Sequence, residues 1–340
     1  MSDKNKKSTR WNIVRLDSDK LEVHPEEKRF FAEAGATLHL SLASDPAVLA
    51  RELAEADAVA VVGSKIPETV VKAMQRCRVI ARYGVGVDNV AVDTATSKGI
   101  VVTNAPRFCK NEMAEHTWAL ILAVARHIVS YDRMTRQSTT PMPAPYIQGM
   151  IHRLAGRTLG LVGFGLIGRN VAQRAHAFEM RVVVHDPMVD AETIESTGAV
   201  PMDLPTLLST SDIVSLHCPL TPATHHLIGE PQLRQMQSTA ILINTSRGAV
   251  VDEAALVRAL TDGWIRGAGL DVYENEPPRK DHPLFAMDNV VLTPHSAALS
   301  DEATVEQRIT GCSQALAVLA GERPLHLVNR DVKPWFGPLT

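Results

Sequence analysis

The chain contains 340 residues, of which 45% are apolar and 21% are charged, and its formal net charge is −3. This length is sufficient for two domains with sizeable cores, and the composition is that of an ordinary globular protein. The slightly acidic balance excludes the basic surface that nucleic-acid binding requires, and the lack of an uncharged apolar run of about 18 residues excludes a transmembrane helix.

The first third of the sequence alternates short β-branched runs with helical patterns. It follows a polar, lysine-rich start (residues 1–10) that is neither a signal peptide nor a membrane anchor. Because strands that alternate with helices form parallel sheets, the pattern predicts a five-stranded α/β unit. The predicted strands are 12–16, 37–42, 58–62, 78–83 and 100–104, and the predicted helices lie near 25–35, 46–56, 67–76 and 91–98.

A long helix and a connector are predicted next. Residues 111–133 read as one helix whose middle is apolar on nearly every side, which predicts burial between domains or against another subunit. The proline-rich stretch 137–157 reads as an extended connector or arm.

A second α/β series begins at residue 158. Its six predicted strands match two mononucleotide-binding halves. Asp252 is the predicted N-cap of a helix that Gly263 ends, and the last predicted helix spans about 300–321. The predicted strands are 159–163, 181–186, 212–218, 240–245, 267–272 and 289–293.

Three glycines follow the first strand of this series and open a helix. Gly163 permits a tight turn, Gly165 lets a pyrophosphate approach the backbone, and Gly168 permits close packing of helix on strand. Asp186 ends the next strand, where an acidic side chain accepts hydrogen bonds from the ribose hydroxyls. No arginine is present there for a 2′-phosphate, so the pattern predicts NAD in preference to NADP.

Three further strand ends carry residues suited to hydride-transfer chemistry. Arg247 and His295 directly follow predicted strands, and Glu276 lies in the loop after another. The carboxyl ends of parallel strands border the crevice in which such folds bind ligands. An arginine, a carboxylate and a histidine at that crevice form a workable set for reducing a carbonyl group.

The cysteines and histidines predict neither a disulfide framework nor a metal site. Cys77, Cys109, Cys218 and Cys312 form no CxxC pair, which is typical of reduced thiols in a cytoplasmic protein. The one adjacent histidine pair, His225-His226, has no acidic residue or cysteine at ligand spacing.

These motifs together resemble the D-isomer-specific 2-hydroxyacid dehydrogenases. Within that family they are similar to the branches of the phosphoglycerate dehydrogenases and of the C-terminal-binding proteins. The resemblance spans about residues 55–325. It rests on ARYGVGVDNV (81–90), GFGLIG (163–168), HCPLTPAT (217–224), INTSRGAVVDEAAL (243–256), GAGLDVYENEP (267–277) and TPHSAA (293–298).

The resemblance implies a role for each site residue. Arg247 would bind the substrate carboxylate and polarise the 2-oxo group, His295 would be the acid–base group, and Glu276 would orient and stabilise the protonated imidazole. The substrate contacts would be Val85, Gly86, Lys65, Arg247 and His295. The cofactor contacts would be Gly163, Phe164, Gly165, Leu166, Ile167, Gly168, Asp186, Cys218, Pro219, Thr224, Thr245, Ser246, Arg247, Asp271, His295 and Ala297.

The resemblance also implies the fold and the assembly. It predicts two Rossmann-like domains with doubly wound parallel sheets. A discontinuous, flavodoxin-like substrate domain (1–107 and 297–340) would carry an inserted NAD-binding domain (108–296). The helix at 111–133 and the arm after it resemble the family's dimer contact, so a homodimer is expected.

The substrate stays open between hydroxypyruvate, glyoxylate and 3-phosphoglycerate. Phosphoglycerate dehydrogenases usually carry an arginine after the third strand, where this chain has Lys65, and Arg107 and Lys110 are further candidates for a second anionic group. Two alternatives to a 2-hydroxyacid dehydrogenase remain, an NADH-responsive dimeric scaffold like the C-terminal-binding proteins and a phosphite dehydrogenase. Formate is disfavoured because formate enzymes have Gln where Glu276 stands.

Overall fold

The computed structural model describes residues 11–19, 22–137 and 151–340. The polar start (1–10) and most of the predicted proline-rich connector (138–150 of 137–157) therefore lie outside the described residues. The chain divides into two compact units, Met1–Cys109 together with Ser300–Thr340, and Lys110–Leu299. None of the helices in the described ranges combines the length and the apolar character needed to cross a bilayer.

Strands and helices alternate along both units, as the hydrophobic pattern predicts. The strands are β1 (Trp11–Leu16), β2 (Ala36–Ser41), β3 (Ala58–Val61), β4 (Val79–Arg82), β5 (Val101–Thr103), β6 (Thr158–Val162), β7 (Arg181–His185), β8 (Val200–Pro201), β9 (Ile213–Leu216), β10 (Ile241–Asn244), β11 (Gly267–Leu270) and β12 (Val290–Leu292). The helices are α1 (Pro25–Glu33), α2 (Pro46–Glu52), α3 (Glu68–Ala73), α4 (Val92–Ser97), α5 (Lys110–Ala125), α6 (Ile128–Arg136), α7 (Leu166–Ala177), α8 (Ala191–Glu195), α9 (Leu204–Thr210), α10 (Glu230–Leu233), α11 (Glu253–Thr261) and α12 (Asp301–Ala320).

The first unit is built on a parallel sheet of order β2-β1-β3-β4-β5, which is the flavodoxin-like order. Strands β3, β4 and β5 are almost entirely buried, as expected where helices cover a parallel sheet, whereas the edge strand β2 exposes His39 and Leu40. One face packs on α12, whose Cys312, Ala315 and Leu319 join the core around Tyr83. Helix α12, from the last part of the chain, thus packs in the same hydrophobic core as β1, β3, β4 and β5 from its first part.

The second unit contains a seven-stranded parallel sheet of order β12-β11-β10-β9-β6-β7-β8. The chain enters at β6, adds β7 and β8 on one side, and then crosses back to β9 on the other side. The strand order therefore reverses between β6 and β9, which is where doubly wound sheets bind ligands. This sheet confirms the predicted α/β architecture, and the two-residue strand β8 is an addition to the six predicted strands.

The prediction of one helix over 111–133 is wrong, because the segment forms two helices. His127 separates α5 from α6 with a left-handed φ of 53°, which interrupts the helical hydrogen-bond ladder. Trp118, Ile121 and Val124 of α5 are buried in the core of the second unit. Much of the apolar surface of α5 is therefore used within the unit, whereas α6 has no buried residue.

Predicted helix ends are confirmed where capping chemistry marks them. The carboxylate of Asp252 accepts a hydrogen bond of 2.9 Å from the backbone N–H of Ala255 at the start of α11, and Gly263 follows that helix with a φ of 72°. Ser300 caps α12 through the N–H of Ala303, and Gly321 ends the helix with a φ of 87°. Local turn chemistry thus places these boundaries.

Candidate active site

The three glycines form the turn between β6 and α7, at the point where the strand order reverses. Gly163 has a φ of 97°, and a Cβ there would lie 2.7 Å from the backbone N of Cys218. A Cβ on Gly168 would lie 2.4 Å from the carbonyl oxygen of Gly163, whereas a Cβ on Gly165 would meet no atom within 4 Å. Gly163 and Gly168 therefore permit close backbone packing, and Gly165 faces open space that a ligand can approach.

The start of α7 and the end of β7 lie beside this turn. Gly165 is the N-cap residue of α7 and makes no side-chain cap hydrogen bond. The N–H of Phe164 donates to the carboxylate of Asp186 over 2.7 Å, and the N–H of Met188 donates to its other oxygen over 2.9 Å. The structure thus places an acidic group and an uncapped helix N-terminus on one turn, which fits the ribose and phosphates of a dinucleotide.

The turn after β9 carries three predicted cofactor contacts. The Thr224 hydroxyl donates to the carbonyl oxygen of Pro219 over 2.6 Å and accepts from the N–H of Thr221 over 2.8 Å, so it closes the turn. Burial raises the pKa of the half-buried Cys218 thiol to about 11, which keeps it protonated at neutral pH. This cysteine therefore lines the turn as a neutral side chain.

The turn after β10 holds Arg247 in place. The buried side chain of Asn244 accepts hydrogen bonds from the N–H and hydroxyl of Ser246, over 3.0 and 2.9 Å. Its amide donates to the carbonyl oxygen of Arg247 over 2.9 Å. The buried hydroxyl of Thr245 lies 3.0 Å from that of Thr117 on α5. The turn that presents the guanidinium is thus fixed from both sides.

Gly248 brings this turn against the loop that follows β11. A Cβ at Gly248 would lie 1.9 Å from the carbonyl carbon of Tyr273 and 2.3 Å from the N of Glu274, so no larger residue fits without a backbone shift. Glu276 follows on the same loop. The close approach therefore places the segment that carries Arg247 next to the segment that carries Glu276.

Glu276 and His295 form a hydrogen-bonded pair. The Nδ1 of His295 lies 2.7 Å from Oε2 of Glu276, and Oε1 of Glu276 accepts from the N–H of Tyr273 over 3.0 Å. The pKa of Glu276 lies below its ordinary value. Burial alone would raise it, but the hydrogen bonds from His295 and the N–H of Tyr273 and the charge of Arg247 have the larger, opposite effect. The carboxylate is therefore ionised at neutral pH and accepts a proton shared by the imidazole.

Asp271 holds the segment that carries His295. It is fully buried at the end of β11, and its backbone carbonyl accepts from the N–H of His295 over 2.7 Å. Its carboxylate accepts from the N–H groups of Ser296 and Ala297 and from the hydroxyl of Thr293 over 2.6–2.9 Å. The pKa of Asp271 is lowered: burial alone would raise it, but these hydrogen bonds and one from the side chain of His116 have the larger, opposite effect. His295 itself has a left-handed φ of 54°.

In the first unit, Asp17 orders the loop that carries Lys65. One oxygen of its carboxylate accepts from the three backbone N–H groups of residues 62–64 over 2.9–3.0 Å, and the other accepts from the Ser64 hydroxyl over 2.6 Å. Burial opposes ionisation, but these hydrogen bonds outweigh it and lower the pKa of Asp17 to about 2. Lys65 follows this fixed loop and is exposed.

The GVGV segment (residues 84–87), also in the first unit, is held by side chains on either side. The amide of Asn104 donates to the carbonyl oxygen of Val85 over 2.7 Å, and the buried amide of Gln307 on α12 donates to that of Tyr83 over 2.8 Å. Val85 is exposed and Gly86 is partly exposed. These anchors fix the backbone on which the predicted substrate contacts lie.

Comparison with known proteins identifies the family. Residues 118–297 match the model of the D-isomer specific 2-hydroxyacid dehydrogenase, NAD binding domain. The chain belongs to the D-isomer specific 2-hydroxyacid dehydrogenases. The dehydrogenase is accordingly an NAD-dependent oxidoreductase of small 2-hydroxy and 2-oxo acids.

Three relatives of the dehydrogenase show the range of the match. The glyoxylate reductase of Korarchaeum cryptofilum is 42% identical over 286 residues, which cover 84% of this chain and 86% of that protein. The D-3-phosphoglycerate dehydrogenase of Methanocaldococcus jannaschii is 40% identical over 283 residues, 83% of this chain but 53% of that protein. The crystal structure of D-lactate dehydrogenase from Aquifex aeolicus, complexed with NAD and lactic acid, has a TM-score of 0.82 and 31% identity, and the match covers 94% of this chain and 99% of that one.

Sequence reasoning missed several residues of the dehydrogenase that hold the site. It does not single out Asn244 or Gly248, and the expectation that Asp271 contacts the cofactor does not include the hydrogen bonds of its carboxylate to the 293–297 segment. A polar residue at the end of an otherwise apolar strand marks both Asn244 and Asp271. Only the backbone contact with Tyr273 reveals Gly248.

Proposed function

We propose that Arg247, Glu276 and His295 are the catalytic residues of this dehydrogenase. The observation that carries the proposal is the 2.7 Å hydrogen bond between Glu276 and His295, with Arg247 near enough to lower the pKa of the same carboxylate. With Nδ1 bonded to Glu276, Nε2 of His295 is the nitrogen that gives a proton to the substrate carbonyl oxygen and takes it back in the reverse direction.

Arg247 binds the substrate carboxylate and polarises its 2-oxo group, because a planar guanidinium offers forked donors that match both. The N–H groups of Val85 and Gly86 are further donors to the carboxylate. Lys65 is the candidate for a second anionic group on the substrate, as are Arg107 and Lys110. On this assignment the first unit is the substrate domain and the second is the NAD domain.

NAD binds the second unit along the glycine turn, Asp186 and the turns that follow β9, β10 and β11. The open space at Gly165 and the uncapped start of α7 support this assignment. When bound, NAD supplies or accepts the hydride at C2 of the substrate. The proposed contacts are residues 163–168, Asp186, Cys218, Pro219, Thr224, Thr245, Ser246, Arg247, Asp271, His295 and Ala297.

The substrate we propose is a small 2-oxo acid of the glyoxylate and hydroxypyruvate type. Glyoxylate reductases match over most of both chains, whereas the phosphoglycerate dehydrogenases match over about half of their own length. The test is NADH oxidation with glyoxylate, hydroxypyruvate, phosphohydroxypyruvate, pyruvate and bulkier 2-oxo acids. The highest kcat/KM for glyoxylate or hydroxypyruvate supports the proposal, and the highest for phosphohydroxypyruvate contradicts it.

A homodimer is the assembly we propose. An open groove of about 560 Å³ in the second unit is lined by the apolar side chains of Leu122, Leu154 and the exposed Phe178 and by the polar ones of Arg126, His152, Arg153 and Glu179. Exposed Ile128 and Val129 lie at the start of α6. A second copy of the chain covers these apolar side chains in a two-fold interface.

A further inference from the structure

We propose that His225, His226 and Glu274 form a site for one divalent transition-metal ion of the Zn²⁺ type. One ligand atom from each, an imidazole nitrogen of either histidine and a carboxylate oxygen of Glu274, lies within 4.8 Å of the other two. The three side chains belong to the second unit and are separate from the catalytic set. The inference therefore holds or fails independently of the proposed substrate.

The backbone brings the two imidazoles to the same side. His226 has a left-handed φ of 51°, a conformation that costs a non-glycine residue free energy and is typical of functional sites. Neighbouring side chains of a regular strand point to opposite faces. Here the rings of His225 and His226 are stacked instead, with centroids 4.0 Å apart and planes 29° apart.

Glu274 supplies the carboxylate that the local sequence lacks. Its Oε1 lies 2.9 Å from Nε2 of His226, although 48 positions separate the two residues. Two contacts hold the surrounding segments together. The N–H of His226 donates to the carbonyl oxygen of Ala249 over 2.8 Å, and the N–H of Glu274 donates to the carboxylate of Glu253 over 3.2 Å.

Two imidazoles and one carboxylate are a ligand set that Zn²⁺ takes in sites where water fills the fourth position. Zinc–ligand bonds of about 2.0–2.2 Å place tetrahedral ligand atoms roughly 3.5 Å apart. The atoms here are within 4.8 Å, and the side chain of His225 is exposed, so rotation of this side chain can close the remaining gap. The ion then replaces the proton between His226 and Glu274.

Binding of the ion cross-links two segments that are distant in sequence. The ligand set exists only in the folded chain, so Zn²⁺ stabilises the folded state in proportion to its binding. We therefore expect tag-free protein to bind one Zn²⁺ per chain in calorimetric titration and to melt at a higher temperature with Zn²⁺ than without it.

Three variants separate this site from unspecific binding. His225→Ala and Glu274→Gln should each lower the Zn²⁺ affinity by at least about tenfold and remove the rise in melting temperature. His176→Ala is the matched control, since that exposed histidine bonds the carbonyl oxygen of Thr197 elsewhere in the unit, and it should bind Zn²⁺ as the wild type does. His225 is exposed, so its removal leaves the fold intact.

Three results would overturn the inference. The first is the absence of saturable Zn²⁺ binding, and the second is equal affinity in the wild type, His225→Ala and Glu274→Gln. The third is a thiolate-to-metal absorption band in the Co²⁺-loaded protein, which would assign the ion to a cysteine such as Cys218. A Co²⁺ spectrum with nitrogen and oxygen ligands alone supports the site.

Discussion

The Nδ1 of His295 lies 2.7 Å from a carboxylate oxygen of Glu276, although 19 positions of sequence separate the two residues. An ionised carboxylate can only accept, so Nδ1 carries the shared proton and Nε2 faces away from the pair. Asp271 fixes the same segment by accepting hydrogen bonds from the backbone N–H groups of His295, Ser296 and Ala297. His295 is thus held both at its ring and at its backbone.

Removal of the imidazole should abolish proton transfer and leave cofactor binding largely intact. We expect His295→Ala to lower kcat for the best 2-oxo acid by roughly 10²–10⁴-fold, the usual contribution of a positioned acid–base group. Steady-state NADH oxidation measures the rate, and fluorescence titration measures NADH binding. Near-wild-type turnover in this variant would show that His295 is not the acid.

The Glu276→Gln variant tests the pairing and not the presence of the imidazole. The amide keeps the shape of the side chain but removes the charged oxygen that accepts the Nδ1 proton of His295. We therefore expect kcat at neutral pH to fall by roughly tenfold or more, since a hydrogen bond to a charged group contributes about 1.5–3 kcal/mol, while NADH binding stays as in the wild type. Wild-type kcat in this variant would show that the charge of Glu276 has no part in positioning His295.

Asp186 should determine the choice between NAD and NADP. A carboxylate repels a 2′-phosphate, and a pair of charges about 4 Å apart near a protein surface interacts by about 4 kcal/mol before screening. We expect wild-type kcat/KM to favour NADH, and Asp186→Ala to narrow the ratio by roughly tenfold or more. Asp186→Asn is the control that removes the charge but can still accept the hydrogen bond from Phe164. Equal wild-type efficiency with both cofactors would contradict this assignment.

Asp17 should stabilise the first unit in a pH-dependent way. Its pKa of about 2 in the folded state lies below the value of about 3.9 expected in the unfolded chain. The contribution, about 2 kcal/mol, is therefore fully present above pH ~4 and is lost as the pH falls towards 2. Asp17→Asn should lower the free energy of unfolding by about this amount at pH 7 in urea denaturation.

The difference between wild type and Asp17→Asn should shrink as the pH approaches 2. Asp93→Asn, an exposed carboxylate on α4, is the control and should change stability little at either pH. A difference that is constant with pH would show that packing, and not the charge of Asp17, causes the effect.

Leu122 should be needed for assembly. This residue is partly buried on α5 and is one of the apolar side chains that line the open groove of the second unit. Light scattering should give about twice the chain mass of 37.0 kDa for the wild type. Leu122→Glu should give monomer or a lower melting temperature, since a charge in an apolar interface is desolvated without a partner. Leu42→Glu, on the surface of the other unit, is the control, and a wild-type monomer would exclude the dimer.

Much of the fold follows from local signals in the sequence. Alternating strand and helix periods predict parallel sheets, and the structure confirms them, with the inner strands β3, β9, β10 and β11 buried along their whole length. A capping side chain marks the start of α11 and of α12, and a left-handed glycine follows the end of each helix. The break at His127 had no such signal, since the apolar pattern continues across it and a histidine does not predict a left-handed backbone.

The sequence by itself determined which side chains stand at strand ends, because the period of two and the turn chemistry are local. The tertiary structure alone decided which strand ends are neighbours. Glu276 meets His295, Gly248 meets Tyr273, and Glu274 meets His226 because the crossovers set the strand order. Contacts of this kind depend on register and order across the sheet, and neither is encoded in the spacing of residues along the chain.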